Sequence, residues 1–164
     1  MEDHKLHKYN LTFSVITVST TRTKENDESG KVIIQLIQDA KYKVTHYEIV
    51  KDDIVQIRRA FFYSCNKSDV IIFNGGTGIS KLDQTPEAII PYLKILPGFG
   101  EIFRFLSYQE IGTSAIMSRA TAGIYNDKII FLLPGSPNAC KLAVEKIILN
   151  EANHIYYEIN KEKI

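Results

Sequence analysis

The most constraining feature of this sequence is an alternation. Short β-branched or apolar runs are followed by segments whose apolar residues recur at helical spacing. "LTFSVITVS" (Leu11 to Ser19) fits a strand, and "DESGKVIIQLIQDA" then places Val32, Ile33, Leu36, Ile37 and Ala40 on one helical face, with Asp27 or Ser29 as cap. "YKVTHYEIV" alternates imperfectly as a second strand, and Asp53 to Ser64 reads as the next amphipathic helix. "DVIIF" is fully apolar after its Asp, as a central parallel strand should be, and "KIIFLL" (Lys128 to Leu133) is another. Strand–helix alternation predicts an α/β domain with a mostly parallel sheet and helices on both faces.

The longest insert lies between these last two strands. Thr85 to about Tyr92 reads as a short helix, with Thr85 as cap and Pro86 at the first helical position. "LPGFG" breaks the chain. A second helix follows over "FGEIFRFLSYQEI", with Phe99, Ile102, Phe103 and Leu106 expected on one face. "TSAIMSRATAGIYNDK" reads as a hairpin or irregular strands around Asn126-Asp127, and "SPNACKLAVEKIILN" as a closing helix. The tail after Asn150 extends that helix or forms a polar strand.

Right-handed crossovers put the loops that follow parallel strands on one edge of the sheet, where ligands of open α/β sheets bind. Four loops share that edge: "STTR", "VKDD", "NGGTG" and "PGSP". Gly75, Gly76, Thr77 and Gly78 can turn exposed N–H groups toward an anion. The motif is neither a P-loop nor a Rossmann fingerprint, and a ligand-free glycine turn has the same sequence. In "PGSPNA", Ser136 can cap a helix whose N-terminus also attracts phosphate. Asp52 and Asp83 lie beside these loops, where carboxylates suit Mg²⁺ shared with phosphate oxygens. Asp52 could equally cap the helix that starts near Asp53.

Composition narrows the partners. The 164 residues suit one domain, 1–164, with 45% hydrophobic and 24% charged residues. The formal charge of +1 gives no electrostatic case for nucleic acid or an anionic membrane. No apolar run approaches the roughly 20 residues that cross a bilayer. The start, "MEDHKLHKYN", is polar and unlike a signal peptide, so a cytoplasmic protein is expected. Cys65 and Cys140 each sit in a helical apolar series and read as buried thiols. His4, His7, His46 and His154 are scattered, against a zinc site.

Four stretches together, "VSTTRTKENDESG", "NGGTGISKLDQTPEA", "GFGEIFRFLSYQEIGTSAIMSRATAG" and "LPGSPNAC", closely resemble the MoaB/MogA family of molybdenum cofactor biosynthesis proteins, on its MoaB branch. The resemblance implies a three-layer αβα domain. It also implies Mg²⁺- and ATP-dependent adenylylation of molybdopterin, with release of pyrophosphate, or else molybdopterin binding without transfer. Carried onto this chain, it makes Asp52 and Asp83 the catalytic and metal-holding acids. It gives Ser19, the glycine loop, Glu87, Ser118, Arg119, Pro134, Gly135 and Ser136 to substrate and nucleotide. It further implies a trimer-based homo-oligomer, a hexamer on the MoaB branch. Two positions depart from the family pattern: Thr20 stands where many members have an acid, and Leu82 where the MogA branch commonly has an arginine.

Overall fold

Residue alternation along three strands explains the layering in a computed structural model, which describes residues 7–164. Residues 1–6, with His4 and most of the polar start, lie outside the described residues. On β1 (Thr12–Val18), β3 (Val70–Asn74) and β6 (Lys128–Leu133), successive side chains enter opposite cores. Phe13, Val15, Val70, Ile72, Ile129 and Phe131 face one side; Ile16, Val18, Ile71, Phe73, Ile130 and Leu132 face the other. A strand buried on both faces has no polar side, which is why "VIIF" reads as a continuous apolar run.

The sheet order is β2-β1-β3-β6-β5-β4, where β2 is Lys43–Val50, β4 Lys94–Ile95 and β5 Thr121–Tyr125. The four strands β2, β1, β3 and β6 are parallel; β5 pairs antiparallel with both β6 and β4 and is the one reversed strand of the sheet. Helix α1 (Glu28–Asp39), α4 (Pro97–Ile111) and the C-terminal helices pack on one face. Helices α2 (Ile54–Cys65) and α3 (Thr85–Ile89) pack on the other. This is the expected αβα arrangement with a mostly parallel sheet.

The insert contains the differences from expectation. The β5–β6 turn is a hairpin, with Asn126 and Asp127 at φ 45° and 61°, as a two-residue turn of this hand demands. The two-residue β4 carries no pattern that sequence periodicity could reveal. Between α4 and β5, Gly112–Met117 forms a 3₁₀ turn. On α4 only Phe99 and Phe103 of the expected face are fully buried; Leu106 packs at the margin and Ile102 is exposed. The face is narrower because β5 and β6 offer α4 a limited surface.

Of the expected caps, two hold and two differ. Asp27 does cap α1, accepting from Gly30 N–H, and Ser136 caps α5 (Pro137–Ala143), accepting from Ala139 N–H. Asp53, not Asp52, caps α2, because only its carboxylate reaches Gln56 N–H. Thr85 lies inside α3, and its hydroxyl donates instead to Gly75 C=O at 2.8 Å. After α5 the chain widens into a π-helical turn, Val144–Ile148, and continues as α6 (Leu149–Asn160), so the tail extends the helix. Both cysteines are buried free thiols, each pushed up to about 12 by burial. No described helix is long and apolar enough to cross a membrane.

Candidate functional site

The carboxyl ends of β1, β3 and β6 and the loop after β2 surround a cavity of about 450 Å³. Ser19, Arg22, Asp52, Gly75, Gly76, Thr77, Gly78, Asp83, Ser118, Pro134 and Gly135 line it. The structure therefore gathers four loops that are distant in sequence, as the crossover rule requires.

The glycine loop is held from behind. Gly75 C=O accepts from the Thr85 hydroxyl, and Gly76 C=O from Thr85 N–H. Thr77 C=O accepts from Arg119 N–H, and Gly78 C=O from the Arg119 Nε–H at 2.8 Å. Every carbonyl of the loop is thus occupied. Gly75 N–H is also spent, on Leu133 C=O. The N–H groups of Gly76, Thr77 and Gly78 have no hydrogen-bond partner among the described residues. Donors left unpaired while acceptors are tied back make a concavity suited to an anion. Glycine is required for steric reasons too. Gly75 has φ +100° and lies so close to β1 that a Cβ would stand 2.2 Å from Val18 C=O.

The loop after β6 has a similar polarity. Gly135 C=O accepts from the Ser29 hydroxyl at 2.5 Å and from Arg22 Nη2 at 2.9 Å. Pro134 C=O accepts from Cys140 Sγ at 3.1 Å. The N–H groups of Gly135 and Ser136 have no described partner. The Ser136 hydroxyl serves the helix cap and lies outside the central cavity.

The two acids share one pattern: one oxygen fixed, the other unpaired. Asp52 Oδ2 accepts from Thr20 N–H at 3.0 Å and from the Thr20 hydroxyl at 2.8 Å. Asp83 Oδ2 accepts from Ser80 N–H at 2.9 Å. It also approaches Gly78 so closely that a Cβ there would be 2.7 Å away. Neither Oδ1 has a described partner. Thr20, the departure from the family pattern, orients Asp52 with both of its donors.

Glu87 and Arg119 lie just outside this cavity. They form an ion pair over a neighbouring cavity of about 430 Å³ that shares Asp83 and also carries Lys81. The hydrogen bond from Arg119 holds the Glu87 carboxyl below the usual carboxylate range. Arg119 therefore reaches the central cavity through its bonds to Thr77, Gly78 and Asp83 C=O rather than through an exposed guanidinium. Ser118 lines the cavity directly. Arg22 is the residue that sequence reasoning missed. Its signal was present in "STTR", on the same edge, but no spacing rule singles out one arginine.

Residues 14–154 match the family model described as "Probable molybdopterin binding domain". The chain is 50% identical over 153 residues to "Molybdenum cofactor biosynthesis protein B" of Bacillus subtilis (strain 168), covering 91% of this chain and 90% of that one. It is 46% identical over 168 residues to the protein of the same name from Staphylococcus aureus (strain MRSA252), covering 98% and 100%. Among solved structures, a "Molybdenum cofactor biosynthesis protein B" superposes with TM-score 0.90 at 44% identity, over 93% of this chain and 98% of that one. The "tungsten cofactor synthesizing protein MoaB" of Pyrococcus furiosus gives 0.85 at 38%, over 93% and 99%. With a family match over residues 14–154, relatives at up to 50% identity and a superposition over most of its length, the chain belongs to the molybdopterin-binding domain family of the MoaB and MogA proteins.

Proposed function

We propose that the chain acts in molybdenum cofactor biosynthesis as a molybdopterin adenylyltransferase. In the reaction, an oxygen of the molybdopterin terminal phosphate attacks the α-phosphorus of ATP. The bond from the α-phosphorus to the bridging oxygen of the β-phosphate breaks, and pyrophosphate leaves with that electron pair. The observation that carries the reading is the glycine loop, whose carbonyls are all tied back while three N–H groups stay unpaired beside two half-free carboxylates.

The residues fit a magnesium ion that is shared with phosphates. No cluster of three His, Cys, Asp or Glu side chains able to hold a metal occurs among the described residues. Mg²⁺ is commonly held by one or two carboxylates plus phosphate oxygens, and Asp52 and Asp83 both line the cavity and each keep one unpaired oxygen. The ion would supply charge neutralisation for the leaving pyrophosphate. The chain itself binds and orients. The N–H groups of Gly76, Thr77, Gly78, Gly135 and Ser136 would hold phosphate oxygens. Ser19 and Ser118 would present hydroxyls to substrate. Arg119 and Glu87 would keep the glycine loop in shape. Pre-aligned N–H donors need no reorganisation as charge moves, which favours the transition state over the ground state.

Incubation with molybdopterin, ATP and Mg²⁺, read by mass detection of the adenylated pterin and by pyrophosphate release, tests the reading. The expected result is both products in equal amount. Molybdopterin binding by calorimetry without either product would overturn it in favour of a binding protein. Leu82 favours that second reading: it is exposed, and it brings no cation to the acid that follows it.

The chain is further proposed to assemble as a trimer-based oligomer, a hexamer. Ile102, Phe105, Tyr108 and Ile111 on α4, with Ile116 and Met117 beyond it, leave large apolar side chains exposed, Ile116 to 81%. Uncovered apolar patches of this kind mark interfaces. Light scattering that shows a stable monomer at micromolar concentration would reject the assembly.

A further inference from the structure

A buried polar chain runs behind the cavity wall, and the proposed reaction does not use it. Asp27 is fully buried yet carries a carboxylate. Its Oδ2 accepts from the Thr17 hydroxyl at 2.6 Å and from the Tyr47 hydroxyl at 2.5 Å. Its Oδ1 accepts from Gly30 N–H at 3.1 Å and stands 3.8 Å from Arg22 Nη1. Burial, then the bond to Asp27, holds the Tyr47 hydroxyl well above the usual tyrosine range, so it remains a donor. A helix cap needs only one carboxylate oxygen; a cap on the surface would do as well and avoid desolvation.

The charge that compensates Asp27 is Arg22, and Arg22 is at the cavity. Its Nη1 donates to the Ser29 hydroxyl at 3.3 Å and its Nη2 to Gly135 C=O at 2.9 Å. A guanidinium carries five N–H groups. Two are used in these bonds, so three make no described hydrogen bond, although Nη1 also faces Asp27 Oδ1. The side chain is 30% exposed, and it lines both the central cavity and a second one that reaches Lys24 and Lys51. A guanidinium fixed at two corners and open elsewhere loses little freedom when it receives a planar or tetrahedral oxyanion.

We propose that Arg22 is an anion-binding residue of the central cavity, taking a phosphoryl group, and that the buried Asp27 is its positioning residue. Asp27 acts from behind, through its charge and through the Thr17–Tyr47 frame, and does not touch the ligand. The proposal shares the phosphate chemistry of the adenylylation reading but requires only binding, not transfer.

The test is calorimetric titration of the full chain with inorganic pyrophosphate and, separately, with molybdopterin. Arg22→Gln should weaken pyrophosphate by about tenfold or more, the loss expected for a charge-assisted contact. Arg22→Lys keeps the charge without the fork and should fall between Arg22→Gln and the wild type. Asp27→Asn should weaken binding in the wild-type background but add almost nothing to Arg22→Gln, because one acts through the other. Unchanged pyrophosphate affinity in folded Arg22→Gln and Arg22→Lys proteins would overturn the anion role, as would a wild type that does not bind pyrophosphate. Full additivity of the double variant would overturn the positioning role and leave Asp27 a structural cap. Arg22-dependent pyrophosphate binding in a protein that forms no adenylated pterin would uphold this proposal and remove the adenylylation reading.

Discussion

The parallel part of the sheet and the antiparallel insert make opposite use of the same chain. At the carboxyl edge of β1, β3 and β6, side chains are small or polar, glycines take positive φ, and backbone carbonyls are tied back. In the insert, α4 and the turn after it keep large apolar groups in the open. Parallel strands force every return loop to one edge, so polar groups from distant segments meet there. An antiparallel hairpin imposes no such convergence, and its outer helix remains available for another surface. On the proposed reading, chemistry and assembly would fall to different halves, joined at Ser118 and Arg119.

The sharpest way to break this comparison is at Asp83. Asp83→Asn keeps the side-chain shape and the bond from Ser80 N–H but removes the charge. Turnover should fall at least ~100-fold, on the order of 3 kcal/mol in the barrier, with molybdopterin binding and folding retained. Asp52→Asn should behave similarly. Near-normal turnover in folded variants, measured as adenylated pterin, would move the chemistry away from this edge.

On the other half, Phe105→Glu puts a charge into the exposed apolar stripe. It should shift the assembly to smaller species by roughly tenfold or more in subunit affinity, since hot-spot aromatics at interfaces carry at least ~2 kcal/mol. Circular dichroism and thermal stability of the monomer should stay normal. Unchanged mass by light scattering would separate the stripe from assembly.

Three smaller changes sharpen the division inside the parallel half. Cys140→Ala and Cys65→Ala should each lower stability by ~1–2 kcal/mol, a modest cavity term, and leave turnover intact. Both thiols, pushed up to about 12, should resist alkylation of the native protein at neutral pH. Ser136→Ala should cost about 1 kcal/mol in denaturant unfolding through the lost cap. Because the hydroxyl lies outside the central cavity and the N–H is kept, molybdopterin affinity should hold; a fall in affinity would bring the hydroxyl itself into the site.

Periodicity made the layers and the edge legible, since β1, β3 and β6 are short β-branched or apolar runs and α1 and α2 show clear stripes. It failed where tertiary context decides. Ile102 sits in a helical apolar series, yet whether it is buried depends on how far β5 extends beneath it. Asp52 and Asp53 are chemically equal caps, and only backbone direction selects Asp53 and frees Asp52 for Thr20. Thr85 has the composition of a cap, but the neighbouring glycine carbonyl competes for its hydroxyl. Arg22 was invisible for a related reason: its importance comes from Asp27 and Ser29 at the start of α1 and from Gly135 after β6, two segments that fold together around it.

The π-helical turn has one consequence for how the C-terminal helix can be altered. Its core residues recur at intervals of four: Cys140, Val144, Ile148, Ala152 and Tyr156. In an ideal α-helix of 3.6 residues per turn, each such step overshoots by about 40°, and the stripe would wander around the cylinder. The wide turn over Val144–Ile148 absorbs one surplus residue and resets the phase. It lets Asn153 meet Tyr9 N–H and Tyr156 meet the Tyr9 ring after the reset. The helix is therefore not interchangeable with a regular one of equal length. Shortening it by one residue within the turn could preserve the stripe, whereas the same deletion after Leu149 would rotate everything beyond it off the sheet.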